Sequence, residues 1–467
     1  MHQTQDLTAQ LDALFHARSV AIVGLPRGMK TGKLFLLALL DQGFPGRIYP
    51  VNPEAEEIDG LKVYPSVSAV PDQVDLAILL VSNEQARPVV EECAAKGVKG
   101  VVLFTAGYKE TGTAEGRILE EELVRIARAK GMRLLGPNCM GLYCPETGLS
   151  FFPELSRDPG PVSLISHSGS LANILGRMAD QKGIRFSKAV SLGNEADLCS
   201  ADFLTYLGQD PKTGVIAAYL ENIKDGPYFL EALKKASREK PVILWKVGLT
   251  PEGGRAASSH TGALSGAREI WEAVVKQTGA VPVTGFEALV DAMMSFALLP
   301  GDLGDRMAVI SGPGGLAVSA AEACGHAGLK LAELSPETQA KLAEFVPPTG
   351  TSLRNPIDVG LSASLDLDIY FESARTAAAD PGVDAVVVIG IGLNQETNQR
   401  YTETMIQIRR DSGKNFLMIG IPGFAPELGQ TFCLAGLPFY ESAERAMHNY
   451  ALVRRYRLRQ KQLWNRV

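Results

Sequence analysis

The sequence predicts an α/β protein of three doubly wound domains, each built on a parallel sheet. Short apolar runs of strand length alternate with longer amphipathic stretches, Gly, Pro or Asn bounds each run, and the rhythm restarts twice after turn-rich breaks. At roughly 150 residues per domain, a chain of 467 residues is long enough for three cores.

The first domain, residues 1–145, starts its strands at SVAIVG (19–24) and continues with GRIYPVN (46–52), VDLAILLVS (74–82), KGVVLFTAG (99–107) and MRLLGPN (132–138). Between them, EQARPVVEECAAKG and EGRILEEELVRIARAKG read as helices, the second ending on Gly131 as a C-cap. A proline-rich link from Pro145 to Pro161 leads into the second domain, residues 155–300, whose strands are PVSLIS (161–166), FSKAVSLGN, GVIAAYLE and PVILWKVG. The turn-forming PGDLGD (300–305) marks the next break. RMAVIS, VDAVVVIGIG and NFLMIGIPG then carry the third domain, residues 305–467.

Composition narrows the function class. With 46% apolar residues, 21% charged residues and a net charge of −6, nothing favours a polyanionic partner, so nucleic acid is not expected. No apolar run approaches the ~20 residues of a membrane span, and the N-terminus lacks the pattern of a secretory signal, which predicts a cytoplasmic protein away from membranes. The six cysteines are dispersed without a Cys-x-x-Cys pair, as expected of reduced thiols with no metal to bind.

Each domain opens with a strand, a loop of small residues and a helix: VGLPRGMKTGK (23–33), SHSGSLANILG (166–176) and SGPGGLAVSAAEA (311–323). Free N–H groups at a helix start attract anions, and glycine lets an anion approach the backbone. One such loop taken singly reads as a tight turn; three in register shift the reading towards phosphate. Gly24, Gly28 and Gly32 are spaced four apart and match neither the dinucleotide fingerprint nor a P-loop, which speaks against a nicotinamide-dependent oxidoreductase. Arg27, Lys30 or Lys33 could still supply charge to another nucleotide, or be solvated surface residues. Glu221 ends the run GVIAAYLE, where a carboxylate could fix one ring nitrogen of a histidine, or simply cap the next helix. His260 sits in RAASSHTGALSGA (255–267) without apolar periodicity or companion ligands, and on that motif alone reads as a loop histidine.

GRIYPVNP, GLKVYPSVSAVPDQVDLAIL, LLGPNCMGLYCPETG, SLGNEADL, AYLENIKDG, ASSHTGALSG and LRNPIDVG, in this order, resemble the nucleoside-diphosphate-forming acyl-CoA synthetases, relatives of succinyl-CoA synthetase, over essentially the whole chain. The resemblance implies a CoA-binding Rossmann-like domain followed by two flavodoxin-like domains. It makes His260 the transiently phosphorylated residue and Glu221 the acid that supports it. Ser166, His167, Ser168, Gly169 and Ser170, with Gly312, Gly314 and Gly315, would hold the phosphoryl group. Coenzyme A would meet Gly24, Lys30, Gly32, Lys33, Val51, Asn52, Pro53, Val81, Ser82 and Asn138, all of which serve ordinary turns equally well. Many relatives carry Ser-Gln-Ser-Gly where this chain has Ser166-His167-Ser168-Gly169, which places a second imidazole near the phosphate.

Nothing in the chain resembles an ATP-grasp domain. The resemblance therefore implies a separate ATP-grasp beta subunit in a hetero-oligomer, with ADP or ATP and Mg²⁺ bound on that partner. The reaction implied runs reversibly from acyl-CoA, phosphate and ADP to a carboxylic acid, CoA and ATP. A CoA-binding regulatory or scaffold protein without turnover is the alternative from another class.

Overall fold

The computed structural model describes residues 2–261, 267–360, 366–390, 394–421 and 427–464, with backbone alone at 2–6, 258–261, 395 and 464. Two compact units result: residues 1–178 with 185–289, and residues 179–184 with 290–467.

The first unit holds two main sheets. In one, five parallel strands run in the order Arg47–Val51, Ser19–Val23, Leu76–Leu79, Gly100–Leu103, Arg133–Leu135. These runs carry no polar alternation because helices cover both faces, and Val20, Ile22, Leu76, Leu79, Val101 and Leu134 are all buried. The chain steps one way from Ser19–Val23 and then returns to its other side, so a crevice opens at the carboxyl ends of Ser19–Val23 and Leu76–Leu79.

The other sheet repeats that order reversal. Its parallel strands lie in the order Val281–Pro282, Val242–Lys246, Val215–Leu220, Val162–Ser166, Phe186–Ser191, and Gly141–Tyr143 adds an antiparallel edge. This edge strand comes from the segment that the sequence assigns to the first domain. Further contacts tie the two sheets into one body. Phe15 stacks on Tyr206 with ring centroids 5.6 Å apart, and the Tyr206 hydroxyl donates to Asp12 at 2.9 Å. Asp197, on the second-domain side, accepts from Arg128, Arg133 and the Leu134 N–H at 2.7 to 3.0 Å.

The second unit carries Lys330–Leu331, Arg306–Ser311, Ala385–Gly390, Asn415–Gly420 and Phe439–Tyr440 in that order, all parallel, with Ile357–Asp358 pairing the end of Arg306–Ser311. Its core gathers Ile310, Ile357, Tyr370, Phe371, Met405 and Phe432. The order reverses between Arg306–Ser311 and Ala385–Gly390.

Two details differ from the sequence reading. The helix Ala114–Ala129 takes Lys130 as its C-cap, and Gly131, at φ 72°, is the residue beyond. RAASSHT is helical rather than loop: Pro251–Thr261 is one helix. Proline at the first position and the Arg-Ala-Ala run favour helix locally, though such small residues leave no periodicity to read. Among the described residues no helix is long and apolar enough to cross a membrane.

Candidate functional site

The crevice of the first sheet is built from backbone. Gly24, at φ 82°, turns the chain out of its strand while its N–H donates to Val51 O at 2.9 Å. A β-carbon there would stand 3.1 Å from Val81 Cγ1, and one on Gly32 would stand 2.9 Å from Leu80 Cδ1, so the first loop lies directly against the turn at Leu80–Ser82. Asn52 Nδ2 donates to Leu25 O at 2.9 Å and ties the third strand end, with Pro53 next, to the same loop. Gly24, Gly32, Val51, Asn52, Val81 and Ser82 therefore converge. Lys30 is exposed on that loop, whereas Lys33 is buried with its Nζ 2.6 Å from Asp59 Oδ2. Asn138 stands over the neighbouring strand end at φ 59°, its N–H donating to Thr105 O at 3.1 Å. Burial pushes the adjacent Cys139 thiol up, and its Sγ faces the carbonyls of Leu103 and Leu135, which suits a structural thiol.

The second sheet's reversal point brings His167 and Glu221 together. His167 donates its N–H to Tyr219 O at 3.1 Å, and its Nδ1 accepts the Glu221 N–H at 3.2 Å. Its Nε2 lies 3.2 Å from Glu195 Oε1, a close but bent polar contact. The sequence reading counts His167 among the phosphate ligands. In the fold its ring is buried and both nitrogens face protein groups, a different task from meeting a phosphate. Glu195 itself is at φ 54° and accepts from Ser200 N–H at 2.5 Å. Burial pushes its carboxyl up, but His167 and the Ser200 N–H outweigh burial and hold it below the ordinary carboxylate range. Glu221 is buried, and Lys246 Nζ donates to its carbonyl at 2.9 Å. Burial draws the Lys246 ammonium down to about 8, against the opposing pull of Glu221.

Next to these residues, the loop Ser166–Ser170 leads into the helix Gly169–Gln181. Ser166 Oγ donates to Ser168 O at 2.7 Å, and Ser168 Oγ caps the Leu171 N–H at 3.3 Å. The N–H groups of Gly169 and Ser170 stand in the first turn, where no helical carbonyl reaches them. A β-carbon on Gly169 would lie 2.5 Å from Met140 Cγ, so the segment after Asn138 abuts this loop. The turn Gly193–Ala196 locks onto the same segment through Asn194 N–H to Pro137 O at 3.0 Å and Ala196 N–H to Gly136 O at 2.9 Å. His260 lies in the last turn of Pro251–Thr261, a helix that packs against the turn Lys109–Thr111 of the first domain; its side chain lies outside the described residues.

In the second unit, Ser311 Oγ donates to Pro313 O at 3.0 Å, as Ser166 does to Ser168, and the helix Gly314–His326 follows. A β-carbon on Gly314 would meet Asp358 Oδ2 at 2.6 Å, Gly312 lies against the Tyr370 hydroxyl, and Gly315 faces open space. Sequence reasoning did not single out Glu195 or Lys246. Glu195 lies within SLGNEADL and Lys246 ends an apolar strand run, but neither has a spacing that marks a role. A cavity of about 430 Å³, lined by Thr8, Asp12, Tyr206 and Gln209, opens at the amino ends of the strands, away from these loops.

Three parallel sheets, each with a glycine-bearing loop at its order reversal, define a doubly wound α/β protein of the ligand-binding kind. Residues 18–145 match the CoA binding domain, residues 159–296 the succinyl-CoA ligase like flavodoxin domain, and residues 307–394 the ligase-CoA domain. The chain is 36% identical to the acetate–CoA ligase [ADP-forming] II subunit alpha of Pyrococcus furiosus, over 95% of this chain and 97% of that one. It is 32% identical to the 4-hydroxybutyrate–CoA ligase [ADP-forming] of Nitrosopumilus maritimus, over 94% of this chain and 63% of that one. The dinucleotide forming acetyl-coenzyme A synthetase 1 of Ca. Korarchaeum cryptofilum, solved with phosphate and ADP, superposes with a TM-score of 0.85 at 33% identity, over 97% of this chain and 98% of that one. The chain belongs to the NDP-forming acyl-CoA synthetase family, as a counterpart of its alpha subunits.

Proposed function

We propose that the chain is the CoA- and phosphate-handling subunit of an ADP-forming acyl-CoA synthetase. Inorganic phosphate attacks the thioester carbonyl, the CoA thiolate leaves, and an acyl phosphate forms. His260 then attacks phosphorus, the carboxylate departs, and the phosphoryl group is carried on the imidazole. Transfer to ADP gives ATP and free His260; every step reverses. Such transfers depend on positioning and charge stabilisation. On this reading the N–H groups of Gly169 and Ser170 hold phosphate oxygens, the loop Gly312 to Gly315 offers an anion site of its own at the start of its helix, and Glu221 supports the phosphorylated ring. The first-sheet crevice takes CoA, with Gly24, Gly32, Val51 to Pro53, Val81 and Ser82 close to its phosphates and Lys30 supplying charge. ADP or ATP with Mg²⁺ binds an ATP-grasp partner in a cytoplasmic hetero-oligomer.

The observation that carries the reading is the adjacency, within one unit, of the segment Gly136–Met140 and the loop Ser166–Ser170. It brings the end of the CoA-binding sheet to the proposed phosphate loop. The test is ATP formation by the chain with its partner, from ADP, phosphate and a panel of acyl-CoAs. Formation that needs all three substrates and vanishes in His260→Ala supports the reading. CoA binding without ATP formation from any acyl-CoA would identify a scaffold instead.

A further inference from the structure

At Glu221 the sheet has ended, yet its buried peptide groups still need partners. The last ladder pairs are Tyr219 with Ser166 and Leu220 with Lys246. Beyond them side chains replace the neighbouring backbones: His167 Nδ1 accepts the Glu221 N–H, and Lys246 Nζ donates to the Glu221 carbonyl. These two side chains come from the ends of the strands on either side. The fourth strand end, Phe186–Ser191, supplies Glu195, whose Oε1 faces His167 Nε2 and is itself fixed by the Ser200 N–H. Lys224 Nζ holds the Glu195 carbonyl at 2.9 Å. A ring that accepts at Nδ1 carries its proton on Nε2, which lies 3.2 Å from the Glu195 carboxylate in a bent contact.

We infer that His167 and Lys246, with Glu195 backing His167, are positioning residues that grip the main chain of Glu221 from both sides and so fix the point from which its side chain reaches into the site. The inference rests on the proposed role of Glu221 toward phosphohistidine. His167 then acts through Glu221 rather than on phosphate, and glutamine can replace it, since an amide offers one acceptor and one donor across a similar span.

The experiment is a set of double-mutant cycles on turnover by the chain with its partner. His167→Ala and Lys246→Met each lower kcat by about tenfold or more with KM for phosphate nearly unchanged; in a Glu221→Gln background the same changes cost less than about threefold. His167→Gln restores most of the loss. Losses that multiply in the Glu221→Gln background, or a raised KM for phosphate at parental kcat, overturn the inference. A Glu221→Gln enzyme as fast as the parent overturns it too. If the parent itself does not turn over, the functional reading fails, and the nitrogen-15 spectrum of histidine-labelled chain decides the grip separately. A His167 signal, assigned with His167→Gln, that shows a bare Nδ1 and a protonated Nε2 supports it; a protonated Nδ1 overturns it.

Discussion

Gly193 shows how tightly single residues determine the site. At φ 57° its α-carbon faces the carbonyl oxygens of Pro137 and Asn138, leaving no room for a methyl group. Gly193→Ala is expected to cost at least about 2 kcal/mol by urea unfolding, combining left-handed strain with a backbone clash. Gly315 has open space around it, and Gly315→Ala should stay within about 1 kcal/mol of the parent in the same assay. At this scale the sequence was partly legible. Glycine and serine in Ser166–Ser170 announce a close backbone approach, and Glu221 falls at a strand end where functional groups collect. What His167 does was not legible, because its ring partners are a backbone N–H and a carboxylate 54 and 28 residues away in number, brought close only by the sheet order.

Among the elements, the long strands were readable because buried parallel strands are continuous apolar runs. Short strands such as Gly141–Tyr143 and Phe439–Tyr440 leave no pattern of their own, whereas the three-residue strand Arg133–Leu135 was legible through the longer run MRLLGPN around it. The helix Pro251–Thr261 escaped for the opposite reason, since its residues are too small to mark a face. Between the two sheets of the first unit, Asp197 is the main polar tie. Burial pushes its carboxyl up, but Arg133, the Leu134 N–H and Arg128 outweigh burial and hold it below the ordinary value of 3.8. A depressed carboxyl stabilises the fold above its unfolded value, and that contribution is lost as pH falls from about 3.8 through the folded value. Asp197→Asn should therefore cost about 2 kcal/mol at neutral pH, by leaving the partly buried Arg133 without its counter-charge. It should also flatten the acid limb of stability against pH. An acid limb as steep as the parent's would remove Asp197 as its source.

For the whole molecule, the same strand order appears three times, and each reversal point carries one of the three loops that the sequence marked by composition alone. The fold class was legible from the alternation of apolar strand runs with amphipathic stretches, whereas the strand order was not. The acyl group was not legible, because pocket shape depends on residues that no motif marks, and the matched relatives are named for different acids. With an ATP-grasp partner the chain should co-elute as a hetero-oligomer in size-exclusion chromatography with light scattering; independent elution would contradict the proposed assembly. The most direct measurement incubates the purified chain with labelled phosphate and a panel of acyl-CoAs, with and without the partner, and analyses the protein for an acid-labile, base-stable label. The account predicts label that depends on one class of acyl-CoA and is absent from His260→Ala. Label that persists in His260→Ala, or none with any acyl-CoA even beside the partner, would contradict it.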